Sequence, residues 1–210
     1  MKVLLVNGSP HQFGCTYTAL EEAGNALRAE GVECDHFWIG AKPISGCLGC
    51  GKCRELGRCG IDDVVNEFLD KAEGYDGYIF GSSVHFASIT GQMSAFMDRA
   101  FYANKCGRRK LFYLKPVASV VSARRAGTTA AIDRMNKYLQ YAQSFIVGSQ
   151  YWNMVHGYTP DDVRKDEEGL QIMRTLGRNM AWFLKCKEAG EKAGVPLPKT
   201  ERGIATDYIR

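Results

Sequence analysis

Four cysteines with short, regular gaps are the residues of this chain whose spacing most directly indicates chemistry. Cys47, Cys50, Cys53 and Cys59 follow the pattern C-x2-C-x2-C-x5-C, with glycines among and beside them. Thiolates two residues apart can converge on one centre when the backbone curls tightly, and glycine permits that curl because it tolerates positive φ. Four cysteines are the usual ligands of a [4Fe–4S] cluster. Structural zinc and free redox-active thiols are the alternatives, although zinc ligands more often come as two separated pairs.

A second candidate site is the loop between the first predicted strand and the first predicted helix. Residues 3–6 form an unbroken apolar run, which is typical of a strand covered on both faces. The turn residues Asn7-Gly8-Ser9-Pro10 follow, and helical spacing begins near Cys15. Unpaired backbone amides at a helix start bind anions, and Ser9 and Thr16 add hydroxyl donors. Neither GxGxxG nor GxxxxGK[ST] is present, so a phosphate site and a simple capped helix are both consistent with this loop.

Strands and helices are predicted to alternate five times, and these elements must position both candidate sites. The predicted strands are residues 3–6, 32–39, 75–82, 116–122 and 145–148. The predicted helices begin at residue 15, cover 64–72, begin at residue 90, begin after residue 127 and cover 161–187. Asp62 and Asp63 are expected to cap the second helix, and Asp98 and Arg99 to lie opposite the apolar stripe of the third. The alternation predicts an α/β protein with a doubly wound five-stranded parallel sheet and helices on both faces.

Both candidate sites follow predicted strands, as do the polar loops after residues 82 and 122. In a doubly wound sheet, ligands lie beyond the carboxyl ends of the strands, so these loops are expected to meet at one edge. The segment 40–60, which carries the four cysteines, is long for a connection in a compact domain, and such loops are usually functional.

Length and composition narrow the class of protein. The chain has 210 residues, 45% of them hydrophobic and 24% charged, which predicts one domain over residues 1–190 and a C-terminal tail over 191–210. The net charge of +4, without a block of lysines and arginines, argues against a nucleic-acid partner. No apolar run approaches the ~20 residues of a membrane span, and the N-terminus lacks the features of a signal peptide. We therefore expect a cytoplasmic protein without a membrane partner, whose cysteines stay reduced.

Three loop motifs resemble those of the flavodoxin-like NAD(P)H-dependent FMN reductase family. They are Asn7-Gly8-Ser9-Pro10 with Gly14-Cys15-Thr16, then residues 81–91 with Phe96-Met97-Asp98-Arg99, and finally residues 122–127. The cysteine motif is similar to that of the iron–sulfur flavoproteins. The resemblance implies that the first motif holds the FMN phosphate, that the second lies along the isoalloxazine ring, and that the third lies beside the ring edge.

The resemblance also implies a set of site residues. Those implied for cofactor binding are Ser9, Pro10, Cys15, Thr16, Tyr17, Ser83, Val84, His85, Phe86, Ser88, Ser122, Arg124 and Gly127. The implied metal ligands are Cys47, Cys50, Cys53 and Cys59. Cys15 is expected at a helix N-terminus, where the pKa of a thiol falls.

The implied function is an FMN-dependent oxidoreductase or electron-transfer flavoprotein that passes electrons between a [4Fe–4S] cluster and FMN. Two alternatives remain open: an NAD(P)H-dependent FMN reductase acting on a quinone or other acceptor without a cluster, and a non-enzymatic redox carrier or sensor. NAD(P)H or ferredoxin is expected as electron donor. A homodimer or homotetramer is expected, because the family commonly caps the flavin with a second subunit. Neither electron transfer with a cluster nor FMN reduction without one requires a catalytic acid or base, so the sequence indicates no catalytic residue.

Overall fold

The computed structural model describes residues 1–199 together with Glu201, Gly203, Ile204 and Thr206. The predicted tail over 191–210 therefore lies in part outside the described residues. Its first two residues, Glu191 and Lys192, belong to the last helix. Among the described residues, no helix combines the length and apolar character needed to cross a bilayer.

A seven-stranded sheet forms the centre of the fold. Its strands are β1 (Lys2–Asn7), β2 (Glu33–Trp38), β3 (Gly77–His85), β4 (Ser88–Ile89), β5 (Pro116–Ala123), β6 (Phe145–Ile146) and β7 (Met154–His156). The parallel strands lie in the order β2-β1-β3-β5-β6, and β7 pairs with the carboxyl-terminal part of β5. Only β4 is antiparallel, against β3. The strand order reverses between β1 and β3, as in flavodoxin-like sheets, so ligands are expected outside the carboxyl ends of these two strands.

Among the residues that the structure describes, seven helices accompany the sheet. They are α1 (Cys15–Ala29), α2 (Cys53–Leu56), α3 (Val64–Ala72), α4 (Gly91–Cys106), α5 (Thr128–Tyr141), α6 (Pro160–Val163) and α7 (Glu167–Lys192). The core on one face contains residues of α3, α4 and α5, and the core on the other contains residues of α1, α6 and α7. The fold class predicted from the sequence, a doubly wound sheet covered on both faces, is confirmed.

Two predicted elements are wrong in extent. The closing helix predicted over 161–187 is two helices, because the Asp166 carboxylate accepts hydrogen bonds from the Gly169 and His156 amides and begins α7 anew. The strand predicted over 145–148 is only the two residues of β6, whose side chains are exposed, and β7 continues that edge of the sheet. Of the two predicted caps for α3, Asp63 accepts a hydrogen bond from a helix backbone amide, that of Val65, whereas Asp62 accepts from the helix only through the Asn66 side chain.

Candidate functional site

The loop after β1 is held in a fixed shape by its own polar groups. The Asn7 carboxamide accepts a hydrogen bond from the Ser9 amide (3.0 Å) and donates one to the Gln12 carbonyl (2.9 Å). The Gly8 amide donates to the Gly81 carbonyl at 2.8 Å, which ties the loop to the middle of β3. A Cβ on Gly8 would lie 2.4 Å from the Met93 sulfur, so only glycine fits this close approach. The loop is therefore rigid where it meets the sheet.

The N-terminus of α1 faces the same region without a side-chain cap. Gly14 occupies the N-cap position, and no side chain among the described residues accepts a hydrogen bond from the first turn. The free amides and the helix dipole favour a bound anion there. The buried Thr16 hydroxyl is hydrogen-bonded to the Ser122 hydroxyl at 2.9 Å, which joins this helix to the end of β5.

A cavity of about 210 Å³ opens between the loops at the carboxyl ends of β1, β3 and β5. We call it the loop cavity, and its lining residues are Ser9, His11, Cys15, Thr16, Ser83, Val84, His85, Ser122, Ala123, Arg124, Gly157 and Tyr158. Most of the residues that the resemblance implies for cofactor binding are brought together here. Those that do not line the loop cavity are Pro10, Tyr17, Phe86, Ser88 and Gly127. The Ser83 hydroxyl is buried and has no hydrogen-bond partner among the described residues.

A strained hairpin forms one rim of the loop cavity. His85 pairs with Ser88, so Phe86 and Ala87 form a two-residue turn, and both have positive φ (48° and 58°). That conformation favours glycine or asparagine, and it leaves the Phe86 side chain fully exposed. Gly127, at the N-terminus of α5, lies against the turn, since a Cβ there would be 2.6 Å from the Ala87 Cα. Phe86 and Gly127 thus shape the rim rather than the lining.

Two expectations about individual side chains change. Burial raises the pKa of the Cys15 thiol and outweighs the lowering by its backbone amide at the helix start, and its Sγ donates to the Gly157 carbonyl at 3.7 Å. Tyr17 packs on His36, with ring centroids 4.6 Å apart, and does not line the loop cavity. Gly157 and Tyr158 were missed because β7, which they follow, is only three residues long and was not predicted as a strand.

The four cysteines of the motif line a second pocket, which we call the cysteine pocket. Cys53 is buried, Cys59 is partly buried, and Cys47 and Cys50 are exposed. As the motif predicts, glycines between them adopt positive φ, including Gly51 at 74° and Gly57 at 68°. Gly57 ends the short helix α2, and its amide donates to the Cys53 carbonyl. Within the part of the chain that the structure describes, no three cysteine, histidine or acidic side chains form a single-metal-ion site.

Cys59 is the best-fixed cysteine of the pocket. The Asn66 carboxamide accepts from the Cys59 amide (2.9 Å) and donates to its carbonyl (3.0 Å). The Arg99 Nε–H donates to the Cys59 Sγ at 3.3 Å. The sequence placed Arg99 opposite the apolar stripe of its helix, and the cysteine loop covers that position, so its side chain is fully buried. The one sequence signal for this role of Arg99 is the acidic residue Asp63, whose carboxylate pairs with the buried guanidinium.

Comparisons with known proteins agree with this architecture. The family model described as NADPH-dependent FMN reductase matches residues 1–159. An iron–sulfur flavoprotein of Methanocaldococcus jannaschii is 31% identical over 190 residues, covering 88% of this chain and 98% of that protein. An iron–sulfur flavoprotein of Methanosarcina thermophila is 26% identical, covering 88% of this chain and 96% of that protein. Among solved structures, a flavodoxin-like WrbA-like protein of Agrobacterium tumefaciens superposes with a TM-score of 0.62 at 11% identity, covering 88% of this chain and 98% of that one, which supports the fold alone.

Proposed function

Because the chain belongs to the NADPH-dependent FMN reductase family, we propose that it is an FMN-dependent oxidoreductase that passes electrons between a [4Fe–4S] cluster and FMN. The observation that carries the proposal is the presence of two prepared sites in one chain. The loop cavity has the open helix N-terminus and polar lining that a flavin phosphate and ring require. The cysteine pocket is lined by four cysteines, the number of ligands that a cluster requires.

The residues of the loop cavity divide into two groups by chemistry. We assign the free amides of α1, with the Ser9 and Thr16 hydroxyls, to the phosphate, since they are neutral donors at a positive helix end. We assign Ser83 and His85 to the ring, because the Ser83 hydroxyl is buried without a partner and a ligand can supply one. Arg124, whose charge is exposed beside the cavity, is assigned to the anionic edge of the ring. When bound, FMN supplies one- and two-electron redox chemistry, and the protein supplies its orientation and electrostatics.

The cysteine pocket suits a cluster better than a single metal ion. Zinc needs its four ligands about 2.3 Å from one point, whereas a cluster distributes its four thiolates over separate irons. The four cysteines line one pocket, and their C-x2-C-x2-C-x5-C spacing lacks the two separated pairs that zinc sites more often have. We therefore assign Cys47, Cys50, Cys53 and Cys59 as ligands of a [4Fe–4S] cluster, which supplies one-electron transfer when it is present.

A second candidate function is an NAD(P)H-dependent FMN reductase that works without a cluster. The description of the matching family, NADPH-dependent FMN reductase, favours this alternative, and the matched residues 1–159 include the whole loop cavity. Under this proposal NAD(P)H reduces FMN directly. Under the first proposal a one-electron donor such as ferredoxin serves as well, and in both we expect a homodimer or homotetramer.

The test is the absorption spectrum of anaerobically purified protein, with iron and acid-labile sulfide assayed on the same sample. We expect flavin bands over a broad iron–sulfur absorption and about four irons per chain, as a [4Fe–4S] cluster requires. The Cys47→Ser variant should lose iron and keep flavin. Cys186→Ser, which removes an exposed cysteine of α7 outside the pocket, is the matched control and should keep both. Flavin without iron would leave the second candidate, and a protein that binds no flavin would refute both.

A further inference from the structure

We propose that Arg99 is a positioning residue for the cysteine pocket, and that its hydrogen bond to the Cys59 sulfur raises the reduction potential of the cluster that Cys59 binds. The inference rests on the proposed function, since it needs a cluster in that pocket. It concerns one contact, the 3.3 Å bond from the Arg99 Nε–H to the Cys59 Sγ.

Every donor of the Arg99 guanidinium has an acceptor in or beside the cysteine loop. Nη1 donates to Asp63 Oδ2 (2.6 Å) and to the Ser45 carbonyl (3.3 Å). Nη2 donates to Asp63 Oδ1 (2.8 Å) and to the Ile61 carbonyl (2.9 Å). A guanidinium has five N–H donors, so these four bonds and the bond to Cys59 use all of them. The group therefore fixes both ends of the loop, at Ser45 and Ile61, as well as the sulfur.

The arrangement of the five acceptors requires the donors of an arginine side chain and not only a positive charge. The two bonds to Asp63 form the parallel pair that a planar guanidinium makes with a carboxylate, and this pair sets the plane in which Nε points at the sulfur. A lysine ammonium carries three donors on a flexible stem and cannot satisfy five acceptors at once. An Arg99→Lys substitution therefore keeps the charge and removes the directed N–H···S bond.

The electrostatic consequence has a definite sign. A cluster that accepts one electron from a one-electron donor becomes more negative, and part of that charge lies on its thiolate sulfurs. A donated N–H and a buried positive charge stabilise the more negative state, and hydrogen bonds to the sulfurs are among the determinants of cluster potential. No proton accompanies the electron at this position, because the guanidinium stays protonated. Arg99 is thus expected to favour the reduced cluster.

The experiment uses wild-type holoprotein, Arg99→Lys and a matched control, Arg109→Lys. Arg109 is also largely buried and bonds the Leu69 carbonyl and the Glu73 carboxylate, but it has no sulfur contact. Iron is assayed first, and the cluster and flavin potentials are then measured by redox titration with EPR and absorption. We expect Arg99→Lys to lower the equilibrium constant for reduction of the cluster at least tenfold. For a one-electron couple, a tenfold change is a fall of about 59 mV in the reduction potential. The flavin potential in this variant, and both potentials in Arg109→Lys, should stay unchanged.

A second measurement decides the case even if Arg99→Lys loses its cluster. In wild-type protein grown with guanidino-¹⁵N-arginine, pulsed EPR of the reduced cluster should detect a ¹⁵N coupling, which Arg109→Lys retains. An absent coupling in iron-replete wild type, or an unchanged cluster potential in Arg99→Lys, would overturn the inference and leave the proposed function standing. Wild type without iron would overturn the cluster proposal itself, and the inference with it.

Discussion

The Ser83 hydroxyl offers a test in which the free protein and the flavin complex respond with opposite signs. Its Oγ is buried at the wall of the loop cavity and has no hydrogen-bond partner among the described residues. A buried hydroxyl without a partner destabilises the folded protein by about 1–3 kcal/mol. Replacing it with a methyl-sized side chain, Ser83→Ala, removes that penalty from the flavin-free protein. If FMN supplies the missing partner, the same substitution removes a favourable contact from the complex.

We take the low end of the range of about 1–3 kcal/mol for the Ser83 hydroxyl, because the rest of Ser83 is only partly buried. A gain of about 1 kcal/mol raises the melting temperature of a chain of this size by about 2–4 °C. The affinity for FMN should fall about fivefold, since about 1.4 kcal/mol corresponds to a factor of ten. The assays are differential scanning calorimetry of flavin-free protein and a titration of FMN fluorescence quenching.

The matched control is Ser119→Ala. Ser119 lies in the middle of β5, and its buried hydroxyl also has no partner among the described residues, but it does not line the loop cavity. The Ser119→Ala substitution should raise the melting temperature as Ser83→Ala does, and it should leave the affinity for FMN unchanged. The assignment of Ser83 to the flavin ring is refuted if Ser83→Ala binds FMN as tightly as wild type.

Three further predictions concern stability of the flavin-free protein. Asp63→Ala removes a helix cap and leaves the buried Arg99 guanidinium without its carboxylate partner. We expect the free energy of unfolding, measured by urea denaturation, to fall by about 3 kcal/mol. The control Asp62→Ala, at an exposed residue, should lower it by under about 0.5 kcal/mol. Lys2 holds the pKa of the Asp35 carboxyl below its usual range, so the stability that ionised Asp35 contributes is present at neutral pH and disappears as pH falls through that lowered pKa. The melting temperatures of wild type and Asp35→Asn should accordingly differ at neutral pH and converge as pH falls below the ordinary range of a carboxyl group. Ala87→Gly relieves a residue with φ of 58° and should raise the melting temperature by about 1–2 °C; a decrease would show that the turn is not strained.

The central sheet was predictable because its signals are local and repeated. The apolar run at residues 3–6 lies within β1, and its neighbours cover it on both faces, so it needs no alternation of polar residues. The helix over 64–72 is correct at both ends because Asp63 supplies a cap just before an amphipathic segment. The break before α7 was not predicted, since it depends on Asp166 bonding the amide of His156 in β7, a contact with a strand that itself was missed.

The candidate site was predictable only as far as the loops that carry it. Polar residues that follow strands had to meet at one edge, and the loop cavity contains them. The hairpin of β3 and β4 was not predicted, because its turn residues, Phe86 and Ala87, lack the Asn-Gly signature of a two-residue turn. The burial of Arg99 was not predicted, for a related reason. A helical pattern assigns charged residues to solvent, and only a tertiary partner, Asp63, makes burial of that charge tolerable.

Helix α4 connects the two candidate sites. Thr90, the N-cap of α4, donates a hydrogen bond from its hydroxyl to the Gly8 carbonyl at 3.0 Å, so the helix begins against the loop that follows β1. Arg99 lies nine residues further, about 13 Å along the axis at 1.5 Å per residue, and holds the cysteine loop. Because the apolar face between them is buried in the core, the helix positions both loops relative to the same rigid body. A change in the length of the cysteine loop should therefore alter the cysteine pocket and leave the support of the loop cavity in place.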